Sequence, residues 1–271
     1  MTLDNTALSD NQLPTIVLAI ETSTAACSVA LKVGDVVQQL YEEGHNLHSL
    51  RLLQMVDELL QQNHLGLKDV QLLAVGVGPG AFTGLRIGVG VAQGLAYSHS
   101  IPVVGVSSLQ ALSRSIMSKS EKCYVLTGLD ARMSELYWAV FQMSGSTSDD
   151  TVITSSNTLM RSELLGELSL SAPQAVELPD WVDLPIILVG NAWSVYSSDF
   201  SEPLQTMIAQ TNMAKMVQYP QACWVLEQAV VEFEAEFEAE FSTGVKNNSH
   251  ELTPLYIRDD VAKKSTKNPL N

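Results

Sequence analysis

The residues able to do chemistry fall into a few polar clusters between apolar runs. Glu21-Thr22-Ser23-Thr24 sets a carboxylate and three hydroxyls at the end of one run. Hydroxyls and amides at such a turn can cradle a phosphate or a Mg²⁺-bound phosphate. The plainer reading is that Thr22, Ser23 and Thr24 satisfy their own turn backbone. Asp130-Ala131-Arg132-Met133 repeats the plan about a hundred residues on. His45 and His48 lie three apart, a spacing a metal would accept, but no Asp, Glu or Cys cluster accompanies them, which favours a polar capping role. Gly76-Val77-Gly78-Pro79-Gly80-Ala81 fits the loose dinucleotide fingerprint. The next strand, Pro102 to Val106, leads into Ser107-Ser108 with no acid to hold a ribose, which argues against that use.

The elements that must position these groups are legible from periodicity. Thr15–Ile20, Cys27–Val33 and Val36–Tyr41 read as strands, with Gly34-Asp35 turning the second into the third. Leu72–Val77 is a buried strand that ends in Gly78-Pro79-Gly80, where the chain must turn. From Ala81 the spacing becomes helical, with Leu85, Val89, Ala92 and Ala96 a turn apart. That helix carries Gly84, Gly88, Gly90 and Gly94. Each costs about 0.5–1 kcal/mol relative to Ala, so the four cost about 2–4 kcal/mol. Close approach of another backbone is the gain that offsets this, read here as a neighbouring helix in this subunit or another. Asn46–Gln62 is a second helix, with Asn46 as N-cap and stripes Leu47-Leu50-Leu53-Val56-Leu60 and Leu52-Met55-Leu59. Apolar on two sides, it is either sandwiched inside the domain or, the preferred reading, shared with a partner.

Further on, Pro102–Val106 is a strand, and Cys123–Leu129 and Ser134–Phe141 form a second strand–turn–strand. Two hairpins of one plan imply an internally duplicated two-domain α/β architecture. Residues 144–151 read as a polar loop, and 166–185, with Pro173, Pro179 and Pro185, as irregular. Ile186–Val189 is a strand. Ala222–Phe241 reads as a helix with the stripe Leu226-Val230-Phe233-Phe237-Phe241, although EFEAEFEAEF also satisfies a period of two. Pro254–Ile257 is extended. The expected domains are 14–113 and 114–258, with 222–241 free to pack back on the first, and 1–13 and 259–271 loose.

Composition narrows the function classes. A net charge of −15 over 271 residues argues against this chain alone holding a nucleic-acid backbone. Cys27, Cys123 and Cys223 are sparse and unpaired, as in a reducing compartment. Residues 1–13 have no apolar core for a signal peptide, and Pro79, Thr83, Arg86 and Gln93 break up the one long apolar stretch, so a cytoplasmic, non-membrane protein is expected. No HExxH and no Ser/His/Asp or Cys/His set supports a peptidase.

Several stretches together resemble the TsaB (YeaZ) family. They are Val17 to Ser23, Cys27 to Leu31, His48-Ser49-Leu50-Arg51, Gly78 to Ala96, Gly105 to Leu109, Leu129 to Arg132 and Pro254 to Arg258. The resemblance is strongest over residues 15–140 and thins through 142–250. It implies an actin-like ATPase (ASKHA) fold of two RNase H-like domains with mixed sheets. It also implies a scaffold or activator subunit that pairs with a TsaD-like catalytic subunit and a TsaE-like ATPase. Such a complex attaches a threonylcarbamoyl group, donated by threonylcarbamoyl-AMP from another enzyme, to N6 of the adenosine beside the anticodon of tRNAs reading A-starting codons. The family's first two helices form a bundle with the catalytic subunit. That carries the interface to His48, Leu52, Met55, Leu59, Gly84, Gly88, Val91 and Gly94. A homodimer is expected for the chain alone, with tRNA contacted only through the complex. Catalytic relatives carry an HxxxH metal pair where this chain has Ser108 and Leu112, so no resident metal and no tightly bound cofactor are expected. The alternative is an independent Mg²⁺-dependent ATPase or kinase holding ATP or ADP through Glu21, Thr22, Ser23 and Asp130.

Overall fold

The computed structural model describes residues 13–44, 47–116, 122–144, 161–178, 184–212, 216–243 and 252–257. The expected cap Asn46, His45, the loop 145–151 and both termini (1–12 and 258–271) lie outside these residues. Strands β1 (Ile16–Glu21), β2 (Ala26–Val33) and β3 (Val36–Glu43) form an antiparallel meander, turned at Gly34 with φ 60°. Helix α1 (Leu47–Gln62) follows, then β4 (Leu72–Gly78), α2 (Phe82–His99) and β5 (Val103–Ser107). The sheet order is β3-β2-β1-β4-β5, with β4 parallel to both β1 and β5.

The central strands of this sheet, β1, β2 and β4, are buried on both faces and read as largely apolar runs, whereas the edge strand β3 is not buried. Leu18, Ile20, Val29, Leu31, Leu73 and Val75 pack with α1 and α2. The opposite face is built from small residues, among them Val17, Ala19, Ala30 and Ala74. Onto it packs α6 (Ala222–Thr243) through Ala222, Val225, Leu226, Ala229 and Val230. The helical period therefore wins over the period of two in the Glu/Phe-rich run, and α6 belongs in space to the first lobe. Two groups from that lobe's strands cap it: Ser28 Oγ accepts from Ala222 N at 2.9 Å and Gln39 Oε1 from Cys223 N at 2.8 Å.

The second lobe starts with α3 (Ser108–Ser113), then β6 (Cys123–Arg132), β7 (Glu135–Ser144), β8 (Arg161–Ser171), β9 (Ile186–Val189), α4 (Ala192–Val195) and α5 (Glu202–Gln210). Its order β8-β7-β6-β9 repeats the first sheet's β3-β2-β1-β4, again with two antiparallel ladders and one parallel one. The fold is a duplicated mixed-sheet α/β fold.

One expectation is corrected. Residues 166–171, read as irregular, belong to β8. Gly166, at φ 88°, sits where the β7–β8 register slips by two residues, between Leu165 opposite Val140 and Ser169 opposite Trp138. The glycine inside the strand and the prolines just after it at 173, 179 and 185 read as breakers and outweighed the alternation of Glu167-Leu168-Ser169-Leu170-Ser171.

Candidate functional site

Glu21 closes β1 and is 1% exposed. Its carboxylate accepts from Ser23 N at 2.5 Å and from Ser108 Oγ at 3.1 Å. A Cβ on Gly76 would lie 2.0 Å from Glu21 Oε2, so the carboxylate occupies the volume that a side chain at residue 76 would fill. Burial pushes its pKa up from the ordinary 4.5, and the hydrogen bonds from Ser23 and Ser108 only partly offset this. Among the described residues no cation pairs with it.

Over this turn sits the N-terminal half of α2, close enough that only glycine fits. An added Cβ would come within 2.2 Å of Ser23 O at Gly80, 2.1 Å of Thr22 O at Gly84 and 2.2 Å of Thr22 Oγ1 at Gly88. Ala81 N donates to Ser23 O at 2.6 Å, and Thr22 Oγ1 donates to Gly84 O at 2.9 Å. A close backbone approach does offset the glycine cost, but the partner is the chain's own β1–β2 turn and not a helix. Gly84 and Gly88 therefore leave the interface set. So do Leu52, Met55 and Leu59, which are 0–1% exposed in the chain's own core. His48, half-buried, meets Ala26 O at 3.1 Å and ties the start of α1 to β2. What α1 and α2 turn outward is Leu50 and Leu53, Tyr97, and Gly90 and Gly94 with open space above them. Val91 lies half-buried at the edge of this face.

A cleft of about 730 Å³ separates the lobes, with Thr24, His48, Thr83, Arg132, Asn191 and Tyr256 among its walls. Glu21, Thr22 and Ser23 are not part of its lining, whereas Asp130 is. Asp130 Oδ1 accepts from Arg132 N at 2.7 Å and from the Tyr196 hydroxyl at 2.5 Å, while Asn191 Oδ1 accepts from Asp130 N at 3.0 Å. Burial, then the bond to Asp130, pushes the Tyr196 phenol upward, so it stays a donor. Beyond Asp130 the turn runs through Arg132, Met133 and Ser134 at φ 62°, 56° and 59°, three left-handed non-glycine residues in a row.

These residues do not fit a Mg²⁺–phosphate site of the kind the independent ATPase alternative needs. The first carboxylate is buried beneath α2, Thr22 donates its hydroxyl to the backbone, and Asp130 is engaged with its own turn and Tyr196. The dinucleotide reading fails on the same grounds. Gly76 makes room for Glu21, and Gly78 packs against Leu85 and the backbone of Leu255. No group of three or more His, Cys, Asp and Glu residues able to hold a metal occurs among the described residues. Ser108 and Leu112 are both buried, the first bonded to Glu21 and the second in the second lobe's core. No described helix is long and apolar enough to cross a membrane. The roles of Gly76 and Ser108 beside Glu21 escaped the sequence reading. Nothing local marks them, since they meet it from β4 and α3.

Comparison with known proteins agrees with this architecture. Residues 41–266 match the family model described as TsaD, tRNA N6-adenosine threonylcarbamoyltransferase. The Haemophilus influenzae tRNA threonylcarbamoyladenosine biosynthesis protein TsaB is 32% identical over 90% of this chain and 94% of its own length. The chain belongs to the TsaB (YeaZ) family. Escherichia coli TsaB is 44% identical over 126 residues, 46% of this chain and 54% of its own. Pseudomonas aeruginosa YeaZ superposes with a TM-score of 0.68 at 30% identity, over 90% of this chain and all of the other. The TsaB likeness thus extends past the N-terminal motifs into the second lobe.

Proposed function

We propose that the chain is a non-catalytic subunit in the formation of N6-threonylcarbamoyladenosine on tRNA. In this reading it docks a TsaD-like catalytic subunit on the outward face of α1 and α2, with a TsaE-like ATPase joining the assembly. The observation that carries it is the face itself. Leu50 is 67% exposed, Leu53 57% and Tyr97 91%, beside glycines with nothing above them. Apolar side chains next to bare helix backbone suit another helix laid closely across both. Alone, the chain would cover this face by pairing with a second copy. The net charge of −15 leaves tRNA to be held by the partners, in the cytoplasm. The buried Glu21 speaks against an independent Mg²⁺-ATPase.

The test mixes the purified chain with the TsaD-like subunit of the same organism, followed by light scattering and by transfer of the threonylcarbamoyl group to tRNA. A stoichiometric complex is expected, with Leu53→Glu plus Tyr97→Glu abolishing both co-elution and transfer. Both positions are exposed, so the fold should survive. Undiminished pairing in that variant, or transfer by the chain alone, would overturn the reading.

A further inference from the structure

Residues 252–257 belong to neither sheet yet touch both lobes. Leu252 packs on the core shared by the first sheet, α1 and α2, and Ile257 on the core of the second sheet and α3. Between these anchors Leu255 N donates to Val77 O at 2.7 Å, Gln93 Nε2 donates to Leu252 O at 2.9 Å, and Arg86 Nε donates to the Tyr256 hydroxyl at 3.2 Å. The Tyr256 ring lies 5.6 Å from that of Phe82, whose face carries the Arg86 guanidinium at 3.8 Å.

The seat for this segment is cut into the first lobe. A Cβ on Gly105 would come within 2.9 Å of Leu252 Cδ1, and one on Gly78 within 3.1 Å of Leu255 O. Leu255, Tyr256 and Ile257 in turn wall part of the cleft. The attachment is nonetheless light. Leu255 is 37% and Tyr256 44% exposed, and the hydrogen bonds from Arg86 and Gln93 lie at the surface. Segments held by few buried contacts and solvent-facing hydrogen bonds open locally at lower cost than the core.

We propose that residues 252–257 form an interlobe clasp, which when seated holds the two lobes together about the cleft and when released lets the cleft open. Among the described residues, two of its three hydrogen bonds come from Arg86 and Gln93, exposed side chains of α2. A protein docked on that helix would thus reach the groups that hold the clasp. This last step rests on the docking reading above; the clasp itself does not.

Hydrogen exchange on the full chain, without any partner, tests it. The reporters are the Asp130 and Arg132 amides at the far wall of the cleft, bonded to Asn191 and Asp130 and not to the clasp. Leu255→Pro removes the donor to Val77, and Tyr256→Ala removes the ring and its hydrogen bond. Both should speed exchange at the reporters about fivefold or more, the factor expected for the loss of one hydrogen bond, while β1 and residues 123–128 of β6 keep their rates. Faster exchange confined to 252–257 and the end of β4 would overturn the proposal, leaving only a surface tie. Should Leu255→Pro unfold the chain, Tyr256→Ala, which keeps the backbone bond, decides by the same criterion. Because no partner is present, failure of the docking reading would leave this result unchanged.

Discussion

The two lobes share a strand order and fill the same internal slot in opposite ways. Laying the four-pair β6–β9 ladder on the four-pair β1–β4 ladder puts Gly128 where Glu21 stands, and Gly190 where Gly76 stands. In the first lobe the slot holds a carboxylate. In the second it holds an indole, since a Cβ on Gly128 would lie 2.7 Å from Trp193 Cζ2. The helices differ accordingly. The first lobe's α2 is 18 residues long and seats two successive turns of glycine, Gly84 and Gly88, on the β1–β2 turn, with Gly80 just before the helix, whereas α4 has 4 residues. Asp130 is thus no register mate of Glu21; it lies two residues further, on a strand that runs on to the cleft. A duplicated backbone has been closed at one turn and left open at the other.

The contrast is broken most directly at the glycines. Gly84→Ala forces a Cβ against a backbone oxygen that cannot rotate away, and should cost about 3 kcal/mol, the top of the usual range for overpacking. That lowers Tm by about 6–12 °C. Gly128→Ala meets the edge of a buried ring instead, held by its Nε1–H to Val189 O at 2.8 Å, and should cost about 1–2 kcal/mol. Thermal unfolding of the two variants side by side is the check. Equal losses would mean that the backbone wall of the first lobe is no stiffer than the indole wall of the second.

The buried carboxylate sharpens the comparison through pH. With its folded pKa raised above 4.5, Glu21 keeps a proton in the native state that the unfolded chain has already released. Between those two values the native state binds more protons, so its stability falls as pH rises. A carboxamide in its place does not titrate. The Tm of Glu21→Gln should therefore gain on that of the natural chain as pH is raised from about 4.5 towards neutrality. A difference that stays flat with pH would show that Glu21 is charged throughout, held by something in the slot other than Ser23 and Ser108.

How much of this was legible in the sequence depended on whether the signal was local. Strand β1 and the buried stripe Leu85-Val89-Ala92-Ala96 follow from spacing alone, and so does the duplication of the hairpins. The resemblance over residues 15–140 supplied the fold class. The glycines of α2 announced a close contact, but a contact's partner is not written beside it. The surface stripe of α1 was likewise misassigned, because two apolar stripes on one helix look alike until the sheet chooses Leu52-Met55-Leu59 as its own. Short helices such as α4 offer too few turns for a period, and Gly166 inside β8 with the prolines after it outweighed the short alternation that β8 had.

Gly94 separates the two reasons for a glycine within a single helix. Above Gly84 and Gly88 the β1–β2 turn leaves no room, whereas nothing lies within 4 Å of a Cβ on Gly94. In the monomer, at a concentration low enough to keep two copies apart, Gly94→Ala should then recover helix propensity, stabilising by about 0.5–1 kcal/mol. The Tm would rise by about 1–4 °C. A gain so readily available implies that the position answers to a constraint absent from the chain alone. If a partner helix crosses here, the same methyl that stabilises the monomer should weaken the complex. Titration of the TsaD-like subunit against natural and Gly94→Ala chains would show that loss directly. Higher Tm with unchanged affinity would place the crossing point elsewhere on the face, nearer Leu50 and Leu53.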